Sequence, residues 1–267
     1  MSVVLQISDP HFGTERPMAL AALERLVVEI KPDLVLVTGD ITQRARPAQF
    51  TAARAFLDKL RAPARLVIPG NHDIPLFALF NRMLDPYGRY ARAFGRTLEG
   101  EFETDDLLVI GLNTTRRYRH KHGEVSPEQI ERVAHRLASA RPGQLRLIAV
   151  HQPVAVPSAT DVNNLLRGRE RAVRRWAEAG ADAVVGGHIH LPYVLPLRER
   201  WPDLPRPMWA VQAGTALSTR VRGGIPNSVN VIRAGADAGS GHAGIVERWD
   251  VDETAGLFQR MATTPLA

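Results

Sequence analysis

Five short polar clusters bring together residue types able to hold divalent cations. They are Asp9-Pro10-His11, Gly39-Asp40, Gly70-Asn71-His72-Asp73, His151 and Gly187-His188-Ile189-His190. Carboxylate and amide oxygens combined with neutral imidazole nitrogens suit hard or borderline metals. The chain has no cysteine, which excludes thiolate ligands and disulfides, so oxygen and nitrogen must do all the binding. Each cluster alone is weak, because a lone His-x-His is more often incidental and Asn-His-Asp can be plain turn chemistry. In Asp-x-His and His-x-His, a locally extended backbone would put both side chains on one face. The glycines beside Asp40, Asn71 and His188 would remove bulk where backbone, metals and substrate converge.

What positions these clusters is a run of alternating elements. Val3 to Ile7, Asp33 to Thr38 and Arg65 to Ile68 read as buried strands, while Pro17 to Ile30 and Pro47 to Leu60 carry apolar residues at helical spacing. The β-α-β-α-β order predicts a parallel sheet with right-handed crossovers. Pro75 to Phe94 reads as a third helical region, followed by strands at Phe102 and Leu107 to Leu112. Ser126 and Gln129 form a capping box that opens a helix expected to end near Pro142-Gly143. Leu145 to Val150 and Ala183 to Val185 are further strands, flanking a helix from Arg169 to Ala179. From Tyr193 onward strands dominate: Tyr193 to Leu197, Met208 to Gln212, Ser228 to Ile232 and Ile245 to Val251. Trp201 to Pro207 reads as a surface connection and Ala234 to Gly244 as a flexible loop. Each of the five clusters directly follows a strand, and the carboxyl ends of parallel strands share one edge, where open α/β folds bind ligands.

The 267 residues suffice for one large domain, expected to span 1–267. Apolar residues at 45% and charged residues at 23% exclude a disordered or fibrous chain. The net charge of +6 comes almost wholly from arginine, since Lys31, Lys59 and Lys121 are the only lysines among 34 basic residues. That surplus favours anionic partners but is scattered along the chain. No leader-like segment and no membrane-length apolar run is evident, so a cytoplasmic protein is expected, with its oligomeric state open.

Taken in order, Asp9-x-His11, Gly39-Asp40, Gly70-Asn71-His72-Asp73, His151 and Gly187-His188-x-His190 resemble the signature of the calcineurin-like metallophosphoesterases. Size and the Gly-Asn-His-Asp element are most similar to the bacterial class III cyclic-nucleotide phosphodiesterases. The resemblance implies a four-layer α/β/β/α sandwich and two divalent metal ions, drawn from Mn, Fe, Zn or Co. It implies that Asp9, His11 and His190 bind one metal, that Asn71, His151 and His188 bind the other, and that Asp40 bridges them. His72 would face the substrate, with Asp73 a candidate to orient its ring. Two cations about 3.5–4 Å apart would neutralise phosphate oxygens and lower the pKa of a bridging water, whose hydroxide attacks in line. His72 would protonate the leaving oxygen or stabilise transition-state charge, and the sequence leaves both open.

The expected substrate is a small phosphodiester such as a cyclic nucleotide or glycerophosphodiester. A DNA or RNA nuclease or a phosphomonoesterase of the same superfamily is the alternative, and a silent protein-binding scaffold is a third reading that intact ligands disfavour. No long basic tract is present to follow a polynucleotide. The run from Arg116 to His122 is either a substrate-facing loop or a solvated one. Arg44 and Arg46 are candidates to meet substrate oxygens or ordinary surface residues, and Tyr87 and Tyr90 read as packing residues.

Overall fold

The computed structural model describes residues 1–76, 78–237 and 242–266. Along the chain come β1 (Val3–Ile7), α1 (Pro17–Ile30), β2 (Leu34–Thr38), α2 (Pro47–Lys59) and β3 (Ala64–Ile68). Two short helices follow, α3 (Leu79–Leu84) and α4 (Gly88–Phe94), then β4 (Gly100–Glu103), β5 (Leu107–Gly111), α5 (Pro127–Ala138), β6 (Leu145–Ala149), α6 (Arg169–Glu178) and β7 (Ala183–Gly186). The rest is strand: β8 (Tyr193–Pro196), β9 (Trp209–Gln212), β10 (Ser228–Asp237), β11 (His242–Asp252) and β12 (Leu257–Leu266).

The strands form two six-stranded sheets, ordered β12-β11-β10-β1-β2-β3 and β4-β5-β6-β7-β9-β8. In the first, β1, β2 and β3 run parallel; in the second, β5, β6, β7 and β9 do. Side-chain alternation assigns the faces. Val4 in β1 and Leu34 and Leu36 in β2 point to the second sheet, where they meet Val109, Leu145, Leu147 and Val185 in one core. Leu5, Ile7, Val35 and Val37 point the other way, onto Leu23, Leu26 and Phe50 of α1 and α2. Leu108, Ile148 and Val184 pack outward against Ile130, Val133 and Trp176 of α5 and α6. A period of two within each strand thus yields helix, sheet, sheet, helix, the expected α/β/β/α sandwich. Each fully buried aliphatic side chain in these cores contributes roughly 1.5–3 kcal/mol.

Several local expectations are corrected. The helical region Pro75 to Phe94 is two pieces, because Pro86 lacks an N–H and disfavours helical backbone at Asp85 before it. Helix α5 stops at Ala138, four residues short of Pro142, where the Ser139 N–H turns back to the Arg136 carbonyl. The supposed loop from Ala234 to Gly244 is largely strand, with β10 reaching Asp237 and β11 resuming at His242; residues 238–241 lie outside the described residues. β12 was not expected: most of its side chains are exposed, so it has no apolar alternation to announce it. Tyr90 is buried against Phe50 and Phe94, with its hydroxyl donating to the Val67 carbonyl, as packing requires. Among the described residues no helix is long and apolar enough to cross a membrane.

Candidate metal centre

The carboxyl ends of β1, β2, β3, β6 and β7 meet where the two sheets lie face to face. The structure brings all seven proposed ligands to this point. Asp9, His11 and His151 are fully buried, Asp40 nearly so. His11 Nε2 lies 3.0 Å from His190 Nε2, and Asp9 Oδ1 is 3.4 Å from His190 Nε2. On the other side, His151 Nε2 is 3.2 Å from both Asp40 Oδ1 and Asn71 Oδ1. Asp40 Oδ2 reaches back to within 3.8 Å of His11 Nε2, so this carboxylate stands between two groups. Asp9, His11 and His190 can each offer one atom within 4.8 Å of the others, as can Asp40, His151 and His188.

The backbone that aims these side chains is not the extended chain expected for Asp-x-His and His-x-His. Asp9, His11, Asp40, His188 and His190 all have positive φ, between 44° and 76°. Only Lys31 and Ala45 share that conformation among the other described non-glycine residues. Left-handed backbone costs of order 1–3 kcal/mol per residue and gathers at functional sites, where it re-aims side chains. Successive left-handed kinks, rather than the pleat of a strand, turn both members of each pair inward. Two glycines make the crowding possible: a Cβ on Gly70 would lie 2.0 Å from the Asp40 nitrogen, and one on Gly187 would lie 1.8 Å from Ser8 Oγ.

Hydrogen bonds outside the centre orient the ligands. His151 Nδ1 donates to the Thr38 carbonyl at 2.8 Å and His190 Nδ1 to the Arg220 carbonyl at 2.6 Å. In the neutral ring each therefore presents the lone pair of Nε2 to the centre. Asp9 Oδ2 accepts from Ser8 Oγ and from the His188 N–H, while Oδ1 is buried without a hydrogen-bond partner. Both ring nitrogens of His188 and Nδ1 of His11 are also buried and unpartnered. Such atoms are costly unless something binds them, and two facing imidazole lone pairs at 3.0 Å want a cation between them. The donor set therefore fits two divalent ions.

Electrostatics agree. Burial pushes the Asp9 carboxyl up, but the close approach and charge of His190, 3.4 Å away, outweigh it and hold Asp9 below the ordinary carboxylate range. Asp40 is likewise held well below that range by His151 and His72 despite its burial. Burial drives His11 and His188 down to about 3, so both are neutral donors. His151, although buried, is raised to about 9 by Asp40, and His190 is raised by Asp9. Asp40 and Asp9 thus favour positive charge at the imidazoles that face them.

His72 and Asp73 follow Asn71 in a single 3-10 turn. The expectation that Asp73 orients the His72 ring is not met. Its carboxylate accepts from the N–H groups of Gly70, Ile41 and Thr42 and from Thr42 Oγ1, tying the end of β2 to the end of β3. Burial, followed by the charge of Asp40, pushes Asp73 up to about 6. The His72 ring is set instead by the Gln43 carbonyl, which accepts from Nδ1 at 2.8 Å. Nε2 then faces the mouth of the centre.

Arg220 occupies that mouth, and the reading of five clusters missed it. Its Nη1 lies 3.3 Å from His72 Nε2, 3.5 Å from His11 Nε2 and 3.2 Å from Gln43 Oε1. Among the described residues it forms no ion pair. The signal was available: Thr215, Ser218 and Arg220 follow β9, a sixth strand ending on the same edge. Thr215 Oγ1 donates to the Asp9 carbonyl, and the Arg220 N–H to Ser218 Oγ. The run from Arg116 to His122 divides its roles. Arg116 braces Asn113, Thr115 and Gln129, and Arg119 pairs with Glu124, whereas His120 lines a cavity beside His72 and Lys121 one beside His188.

Comparison with known proteins places this geometry. Residues 2–192 match the family model described as calcineurin-like phosphoesterase. The cAMP/cGMP dual specificity phosphodiesterase MT0825 of Mycobacterium tuberculosis is 30% identical over 204 residues, 70% of this chain and 61% of the relative. The chain therefore spans somewhat under two thirds of that protein. A probable glycerophosphodiester phosphodiesterase GpdQ of Arcobacter nitrofigilis is 27% identical over 201 residues, 70% of this chain and 71% of the relative. In fold, the chain is similar to a dimetal phosphatase from Danio rerio, with a TM-score of 0.65 at 13% identity, covering 99% of this chain and 98% of that one. The ordered strand-end residues and the family match together show that this chain belongs to the calcineurin-like phosphoesterases.

Proposed function

We propose that the protein is a binuclear metal-dependent phosphodiesterase acting on small phosphodiesters, cyclic nucleotides and glycerophosphodiesters being the first to test. One observation carries the reading: Asp40 stands between two convergent groups of ligand side chains, among which Asp9 Oδ1 and both His188 ring nitrogens are buried without a protein hydrogen-bond partner. The names of the relatives support the substrate class.

Asp9, His11 and His190 would hold one ion, and Asn71, His151 and His188 the other, with Asp40 shared. When bound, such a pair supplies neutralisation of the phosphate oxygens and a water of lowered pKa. The chain's own groups do the rest. Arg220 and His72 flank the opening, so a phosphate entering there meets a guanidinium donor on one side and His72 Nε2 on the other. Arg220 steadies a non-bridging oxygen by a charge-assisted hydrogen bond. His72, its Nδ1–H held by the Gln43 carbonyl, would enter the step as the imidazolium, give its Nε2 proton to the leaving oxygen and be left as the neutral ring. Asp73 serves at one remove, by holding together the turns that carry Gln43 and His72.

A substrate panel with metal reconstitution tests this. Metal-loaded protein is expected to cleave cyclic AMP, glycerophosphodiesters or bis-p-nitrophenyl phosphate faster than p-nitrophenyl phosphate or single-stranded DNA, with activity lost to a chelator. Preference for DNA or for the monoester, or no phosphoester hydrolysis with two metals bound, would overturn it.

A further inference from the structure

Beyond Asn71 and His72 the centre opens into a cavity of about 500 Å³, within the range of small-molecule sites. Its apolar part is formed by Ile74, Pro75 and Leu76, and its polar wall by Arg44, Arg46 and Arg89. Among the described residues Arg46 and Arg89 form no ion pair. By contrast Arg54 and Arg65, close by, share Asp58. The cations are placed by structure. Arg44 and Arg46 sit on the turn after β2, where their N–H groups donate to Gln49 Oε1 at 3.0 and 3.3 Å and the Ala45 N–H donates to Thr42 Oγ1. Ala45 is held there with φ 50°, a conformation alanine rarely adopts. Arg89, from α4, donates to the Ala45 carbonyl at 2.9 Å, which fixes it against the same turn.

Three guanidinium groups around one cavity, Arg46 and Arg89 without an ion-pair partner among the described residues, create a positive field that attracts an anion. A substrate with a single phosphate leaves that field unanswered, since its phosphate belongs at the metal centre and its remainder is neutral. We propose that the cavity is a subsite for a second phosphate, carried on the arm of the phosphodiester that extends past His72. The inference rests on the reading of the centre given above. It narrows the substrate class to small diesters with an additional phosphate group, whose uncharged body lies on Ile74 and Leu76.

Two nucleotides that differ by one phosphate test it. Metal-loaded protein would be titrated calorimetrically with thymidine 5′-monophosphate and with thymidine 3′,5′-bisphosphate, in wild type and in Arg46→Gln/Arg89→Gln. Wild type is expected to bind the bisphosphate at least about tenfold more tightly, the scale of one charge-assisted hydrogen-bonded contact. The double variant should narrow that ratio to below about threefold, with metal content unchanged. Equal affinities in wild type, or an unchanged ratio in the variant, would overturn the subsite. Should the double variant fail to fold, Arg46→Gln and Arg89→Gln singly must each narrow the ratio. Failure of the functional reading is separable: it would show as no diester hydrolysis by protein carrying two metals, whatever the nucleotide ratio.

Discussion

The floor and the rim of the site are built on different principles. The floor consists of buried or half-buried residues at strand ends, five of the seven with strained left-handed backbone, and with His151 and His190 anchored by carbonyls of the opposite sheet or a neighbouring loop. The rim consists of Gln43, Arg44, Arg46, Arg89, His120 and Arg220, carried on turns, a short helix and loops, and rich in positive charge. A rigid floor can fix atoms to the tolerance that metal coordination demands, and loops can vary without disturbing it. The lesson is a division of labour under the proposed function: the floor would set the reaction at phosphorus, and the rim what is attached to it.

Substitutions that respect this division should behave differently by region. The largest effect is expected for Asp40→Asn, which weakens the carboxylate proposed to be shared by both ions. It should lower kcat/KM on every phosphoester by roughly 10³-fold or more and cost at least one metal equivalent by elemental analysis, on the scale of removing a strong charge-stabilising group. Uniform loss supports a floor that is blind to the substrate; wild-type metal content and rate would break the comparison. His72→Ala comes next, because His72 belongs to the floor by sequence and to the rim by contact. Turnover should fall about 10²-fold on diesters with poor alkoxide leaving groups and much less on p-nitrophenyl esters, which leave without a proton. Equal losses on both would remove the acid role.

Arg220→Met should raise KM for diesters about tenfold, the worth of one charge-assisted contact, and leave metal content intact. Loss of a metal instead would assign the Arg220 side chain to the floor, acting through its approach to His11 Nε2 at 3.5 Å. The smallest effect lies far from both regions. Asp106 is partly buried at the β4–β5 turn, which burial alone would answer with a raised pKa. Hydrogen bonds from Ser2 and Thr104 outweigh that and lower the carboxyl to about 2. A depressed folded-state pKa stabilises above the unfolded value near 4 and is lost as pH falls towards 2. Asp106→Asn should therefore cost about 1–2 kcal/mol in urea unfolding at pH 7, and the difference from wild type should shrink steadily below pH 4.

The same division explains what could be read from the chain alone. β1, α1 and the ends of β2 and β3 follow from apolar periodicity and proline placement, because burial on both faces leaves few alternatives for runs such as Val3 to Ile7. The seven floor residues stand out since each follows such a strand. Their backbone did not: nothing in Asp9-Pro10-His11 distinguishes an extended pair from two left-handed kinks, a choice made by the packing of Ser8, Gly187 and Gly70. Asp73 misled because adjacency in sequence suggested contact with His72, whereas a 3-10 turn sends its carboxylate back to Ile41 and Thr42. Arg220 lies eight residues past β9, at the end of a loop whose course is set by contacts with Asp9 and Ser8 that no local pattern records.

Metal stoichiometry tests the central claim most directly. Protein reconstituted with manganese or zinc, freed of excess ion and crystallised, should show two anomalous scattering peaks per chain. One should lie among Asp9, His11 and His190, the other among Asn71, His151 and His188, with Asp40 touching both. A single peak, or a fully active protein with at most one ion per chain, would contradict the account.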